Sequence, residues 1–162
     1  RGEFDKDNVR EVFARVAGDR LDDALVWQLQ VPVYADLGTG LPVGVIAMTS
    51  LVDETCETCT DPAILRQILE RNFAAVVGQE EKISVRTAQG KALLAQYNIT
   101  QLPAVILSKD AGAYLALQSS WGQVGTIEED GSYVFRNLPA IGAAVYKDLS
   151  TGEIVTYPLE TL

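Results

Sequence analysis

The most constraining feature of this 162-residue chain is a nearly continuous apolar run from Val43 to Leu51. An amphipathic surface strand alternates, whereas a strand covered on both faces does not, so this run reads as the central strand of a buried, parallel-type sheet. A Gly38-Thr39-Gly40 turn precedes it. Just after it stand the only two cysteines of the chain, in Cys56-Glu57-Thr58-Cys59. Thr55 and Asp61 are competing caps for the following helix, and Asp61-Pro62 is the better pair. Proline is favoured at a first helical position and disfavours helical geometry in the residue before it. The helix is therefore expected from Pro62 to about Val76, buried through Ile64, Leu65, Ile68, Leu69, Phe73 and Val76, with the cysteines in the loop before it.

Alternation continues downstream. Lys82 to Val85 reads as a short strand. Thr87 caps a helix to about Tyr97 with Leu93, Leu94 and Tyr97 inward. Ala104 to Ser108 is a strand opened by Leu102-Pro103. Tyr114 to Val124 is irregular or helical. Gly125 to Ile127 and Ser132 to Arg136 flank Glu128-Glu129-Asp130-Gly131 as a hairpin. Upstream, Asp7 or Asn8 caps a helix through Val9, Val12, Phe13 and Val16. Leu21 to Gln30 is ambiguous, with Leu21, Leu25 and Leu29 on one helical face, and Val31 to Tyr34 is a short strand. Alternating strands and helices place the chain in the α/β class. The expected divisions are an N-terminal extension at 1–36, a principal domain at 37–148 and a C-terminal strand or tail at 149–162.

A short echo crosses these divisions. Val33-Tyr34-x-Asp36-Leu37-x-Thr39-Gly40-x-x-Val43 recurs as Val145-Tyr146-x-Asp148-Leu149-x-Thr151-Gly152-x-x-Val155. One reading is that similar units are strung together, with residues before Asp36 ending a preceding unit and Leu149 to Leu162 starting a following one. The other is two unrelated hairpins.

Composition narrows the function. Net charge is −9 and histidine is absent, which argues against nucleic-acid or anionic-membrane binding and favours basic protein surfaces as partners. No apolar run reaches the ~20 residues of a membrane span, and no signal peptide is legible. Two cysteines cannot form a disulfide framework, so their close spacing points to chemistry, a small structural disulfide or half a metal site. Metal is disfavoured because no histidine or further cysteine completes a tetrahedral set, leaving Asp53, Glu54, Glu57 and Asp61 or a second chain. For redox work, Cys56 near unpaired helix N–H groups is the candidate nucleophile and Cys59, about one turn inward, the resolving thiol. The four acids oppose a thiolate, and the nearest basic residue in sequence is Arg66. Reductase or exchange work is therefore expected rather than strong oxidation. Trp27 and Trp121 read as packing residues, Tyr114 and Trp121 as alternative groove residues, and Asn98-Ile99-Thr100 as a turn that also spells a glycosylation sequon.

The order strand (Val43 to Leu51), Cys56-Glu57-Thr58-Cys59, helix, strand, helix ending Tyr97-Asn98-Ile99-Thr100, then Leu102-Pro103-Ala104-Val105-Ile106-Leu107 resembles the thioredoxin-like superfamily. The resemblance covers about Pro42 to Arg136. It implies a three-layer α/β/α sandwich, here with an N-terminal helical extension and an extra C-terminal hairpin. It also implies thiol–disulfide exchange through Cys56 and Cys59 on protein thiols and disulfides, without a cofactor. A cis Leu102–Pro103 peptide would face the cysteines, with Leu102 and Pro103 contacting extended substrate. The pattern differs from familiar members at Thr55, where they carry tryptophan, at Glu57-Thr58 between the cysteines, and at Met48 and Thr49, where thioredoxins carry a buried acid. The rival expectation is a non-catalytic binding or assembly module with a structural cysteine pair. A dithiol works on either side of a membrane, and the expectation here is an extracytoplasmic location, in a soluble portion of a larger protein.

Overall fold

The computed structural model describes residues 19–21, 24–26, 32–142 and 145–157. Two compact units are separated, 1–31 and 32–162. In the first, β1 (Asp19–Leu21) pairs antiparallel with β2 (Ala24–Val26), Asp19 opposite Val26. The helical option for Leu21 to Gln30 is therefore not taken by the described residues there. So short a segment is marginal as a helix. The helix expected from Asp7 to Val16, and Trp27, lie outside the described residues.

The second unit is mixed α/β. Its main sheet has five strands in the order β6, β5, β8, β10, β9. The centre is β5 (Val45–Val52), parallel to β6 (Val76–Ser84) and antiparallel to β8 (Ala104–Leu107). Then come β10 (Tyr133–Phe135) and the edge strand β9 (Gly125–Ile127), each antiparallel to its neighbour. Helix α1 (Ala63–Phe73) joins β5 to β6, α2 (Ala88–Gln96) follows β6, and α3 (Leu115–Trp121) follows β8 through a 3-10 turn at Lys109–Ala113. Two small sheets complete the unit. One is the hairpin of β3 (Tyr34–Ala35) and β4 (Pro42–Val43). The other orders β12 (Ile154–Thr156), β11 (Val145–Asp148) and β7 (Gln101–Leu102).

Local chemistry sets these boundaries. The Asp61 carboxylate accepts from the Ala63 N–H at 3.0 Å, and α1 ends where Ala74 turns left-handed at φ 50°. Val76 accordingly falls outside α1 and starts β6, 44% exposed, rather than completing a buried helical face. Strand β6 is longer than the expected Lys82 to Val85 because Gln79, Glu80 and Glu81 lie on an edge strand, where charge is tolerated and discourages further pairing. The Thr87 hydroxyl caps α2 by accepting from Gly90 N–H at 3.0 Å.

The two faces of β5 and β8 carry two cores. Ile46, Met48, Val105 and Leu107 pack with Leu65 and Leu69 of α1 and with Leu117 and Trp121 of α3. Leu51, Ala104 and Ile106 pack with Ile83, Val85, Tyr97 and Ile99. Trp121 is 1% exposed, edge-on to Tyr133 and Phe135, and its Nε1 donates to Thr126 O at 3.0 Å. Tyr114 is likewise structural. It is buried, its hydroxyl donates to Gly44 O at 2.5 Å and accepts from Val76 N–H at 2.8 Å, so it lines no groove. Asn98 occupies the helix-end turn at φ 48°.

Candidate functional site: the Cys56–Cys59 cleft

The end of β5 delivers the chain into two tight turns before α1. Cys56 N–H donates to Asp53 O at 2.9 Å and Cys59 N–H to Cys56 O at 3.3 Å. The turns bring the cysteine Cα atoms to 5.4 Å, and the two form a disulfide. The Leu102–Pro103 peptide is cis. Cys59 Sγ lies 3.9 Å from Leu102 O, a distance at which a thiol donates weakly to a carbonyl. An open cleft of about 170 Å³ is lined by both cysteines, Val52, Asp53, Thr60, Asp61, Pro62, Leu102 and Pro103. All four sequence-derived site residues therefore meet in one depression. A cavity of about 70 Å³ on the Ile99, Phe135, Arg136 side of Pro103 touches neither cysteine.

Two expectations about the sulfurs need correcting. Because α1 starts at Ala63, its unpaired N–H groups do not lie at Cys56, and Ala63 N–H is already satisfied by Asp61. Cys56 therefore precedes α1 rather than lying in its first turn. The depth order is also reversed: Cys56 is buried, 9% exposed, while Cys59 is half-buried.

The electrostatics contain a residue that local sequence reading does not supply. Lys147 of β11 reaches Asp53, with Nζ 2.6 Å from Oδ2. The Asp53 side chain is 7% exposed and is also held by the Thr55 N–H at 3.0 Å and the Thr55 hydroxyl at 2.6 Å, with Arg86 Nε at 3.8 Å. These contacts, the Lys147 hydrogen bond foremost, hold the Asp53 carboxyl well below the usual carboxylate range. Asp61 is lowered as well, first by the Ala63 N–H and then by Lys82 at 3.2 Å. Two of the four acids are thus neutralised by lysines, while Glu54 and Glu57 stay exposed. Lys147 is 94 residues from Asp53, and its one sequence signal is its place inside the repeated Val-Tyr-x-Asp-Leu segment.

The same hairpin occupies the strand edge beside the cleft. Lys147 stands opposite Leu102 and Asp148 opposite Gln101. Thr60 N–H donates to Val145 O at 3.0 Å, and Leu149 N–H to Thr100 O at 2.8 Å. The ladder position expected to receive substrate beside Leu102 is filled by the chain's own β11. An extended ligand pairs there only if β11 leaves, whereas the cleft over the sulfurs stays open.

Among the described residues, no cluster of three or more His, Cys, Asp or Glu side chains fits a metal, and no helix is long and apolar enough to cross a membrane. No family model, curated protein or solved structure matches the chain.

Proposed function

We propose that this chain exchanges dithiol for disulfide on protein substrates through Cys56 and Cys59, on a thioredoxin-like scaffold. The observation that carries the reading is the convergence of the Cys56–Cys59 disulfide and the cis Leu102–Pro103 peptide on one open cleft. The supporting order is β5, the cysteine turns, α1, β6, α2, then Pro103 and β8. In the reduced protein, the Cys56 thiolate attacks one sulfur of a substrate disulfide. That bond breaks, and the leaving sulfur takes a proton. Cys59 then attacks Cys56 Sγ, re-forming the Cys56–Cys59 bond and releasing the second substrate thiol, so two electrons pass to the substrate. Incoming dithiols from a partner reverse these steps and restore the thiols.

Cys59 suits the resolving role because, once reduced, its S–H would lie within weak donor reach of Leu102 O, 3.9 Å from Sγ. With Cys56 ahead of the first turn of α1 and Glu57 between the sulfurs, the thiolate is weakly stabilised, which favours reductase or exchange work over strong oxidation. The acidic mouth favours basic surfaces around the target bond. A disulfide-bonded resting state fits an extracytoplasmic compartment.

The occupied Leu102 edge favours a second reading, a binding or assembly module whose cysteine pair is structural. Trapping separates the two. Under exchange, Cys59→Ser accumulates mixed disulfides through Cys56 when offered a disulfide-bonded protein, while Cys56→Ser captures far less and stays folded. No capture by either variant, together with lost stability on reduction of the wild type, would establish the structural role. Preferential capture by Cys56→Ser would reverse the sulfur roles.

A further inference from the structure

The echoed sequence folds into the same hairpin twice. Tyr34 stands opposite Val43 and Ala35 opposite Pro42. At the same offset, Tyr146 stands opposite Val155 and Lys147 opposite Ile154. The Asp36 carboxylate accepts from the N–H groups of Gly38 and Thr39 at 2.9 and 2.8 Å, and the Asp148 carboxylate from those of Ser150 and Thr151 at 2.8 and 3.3 Å. Gly40 N–H donates to Asp36 O at 2.7 Å, and Gly152 N–H to Asp148 O at 2.8 Å. Both glycines are left-handed, at φ 70° and 76°. Asp36 N–H donates to Leu41 O and Asp148 N–H to Glu153 O, each at 2.9 Å. Two unrelated hairpins need not share register, Asx turn and side-chain cap together.

What differs is docking. In the second hairpin, the side of the strand carrying Val145, Lys147 and Leu149 pairs with Thr60, Leu102 and Thr100, Tyr146 is buried, and Leu149 packs on the Leu51–Tyr97 core. In the first, β3 and β4 form a two-stranded sheet of their own. Val33 and Tyr34 are each 41% exposed and Leu37, the counterpart of Leu149, 99%. The first hairpin therefore carries the docking residues in the docking geometry with the side chains in solvent.

We propose that the Val33–Val43 hairpin is an interaction element whose partner is another unit of this same kind. It adds its Tyr34–Asp36 strand antiparallel to the Gln101–Leu102 edge of that unit, with Tyr34 and Leu37 taking the places of Tyr146 and Leu149. Unpaired strand edges recruit strands in this way. The contact is heterologous, so it propagates head to tail. Within one copy, the tethered second hairpin holds the edge at high effective concentration, so free copies do not associate until that hairpin is loosened.

The test opens the edge in the full chain. Lys147→Pro removes an N–H on the strand side that faces Leu102, and Leu149→Asp removes the apolar anchor. By sedimentation velocity, wild type should stay monomeric and the double variant should shift to dimers and longer species with rising concentration. Adding Ala35→Pro and Leu37→Asp to it should return the monomer. A folded, still disulfide-bonded double variant that stays monomeric would overturn the proposal, as would oligomers that survive the Ala35 and Leu37 changes. Should the double variant unfold, Leu149→Ala with a photo-crosslinker at position 37 gives the same readout. Crosslinks landing around residues 100–103 of a second copy support the proposal, and crosslinks elsewhere, or none, refute it. The readout is association alone, so it stands apart from any redox activity.

Discussion

Lys147→Ala is the perturbation whose size follows most directly from the structure. The Lys147 Nζ–Asp53 Oδ2 contact of 2.6 Å lies between side chains 23% and 7% exposed, so solvent screens it little. Stripping one partner from a fully buried ion pair costs about 3–5 kcal/mol. Asp53 keeps both Thr55 hydrogen bonds, and Arg86, 62% exposed, stays at 3.8 Å, so the carboxylate is not abandoned. The loss should fall nearer that of one hydrogen bond to a charged group, about 1.5–3 kcal/mol. With a urea slope of roughly 1–3 kcal/mol/M, the midpoint should drop by about 1 M. Far-UV circular dichroism in urea measures it. Native-state hydrogen exchange should show where it acts, through faster exchange at Leu149 N–H, bonded to Thr100 O, and at Thr60 N–H, bonded to Val145 O. A change below about 0.5 kcal/mol, the range of ordinary surface substitutions, with both amides still protected, would refute the claim that this pair fastens the hairpin to the cleft.

The same pair predicts a pH dependence. The Asp53 carboxyl is lowered in the folded chain, so its contribution is complete above the unfolded value of about 4 and is lost as pH falls through the lowered folded value. Denaturation midpoints between pH 5 and 2 should therefore fall more steeply in wild type than in Lys147→Ala; parallel curves would contradict this. Ser50 is wholly buried in β5 and its hydroxyl has no hydrogen-bond partner among the described residues, so Ser50→Ala should leave stability unchanged or raise it by about 1 kcal/mol in urea melts, and a loss of that size would be against expectation. At Gly90 an added Cβ would run into Ser84 O and come within 2.8 Å of Val85 Cα, both backbone. Gly90→Ala should therefore cost about 1–3 kcal/mol by calorimetry despite its better helix propensity, and a stabilised variant would show that α2 can withdraw from β6.

What could be read from the sequence was carried by local signals. The apolar run gave β5, Asp61-Pro62 gave the start of α1, Thr87 gave the start of α2, and Glu128 to Gly131 gave the turn between β9 and β10. The dithiol and Leu102-Pro103 are likewise visible as candidates, the first just after one apolar strand pattern and the second just before another. What escaped depends on chain segments far apart. The span of β6 was hidden because an edge strand carries Gln79 to Lys82 without apolar alternation. The Lys147–Asp53 tie and the filling of the Leu102 edge join segments tens of residues apart, which no window of sequence contains. The depth of Cys56 relative to Cys59 follows from the two turns that precede α1, and turn geometry of that kind is not encoded by spacing.

The claim that Cys56 and Cys59 form a working dithiol is tested most directly by their reduction potential, read from the thiol-alkylation mass shift of the intact chain across a glutathione redox series. Exchange predicts a potential of roughly −120 to −270 mV, toward the reducing end of that range given the weakly stabilised thiolate. A potential below about −300 mV would mark a structural disulfide and contradict the exchange reading.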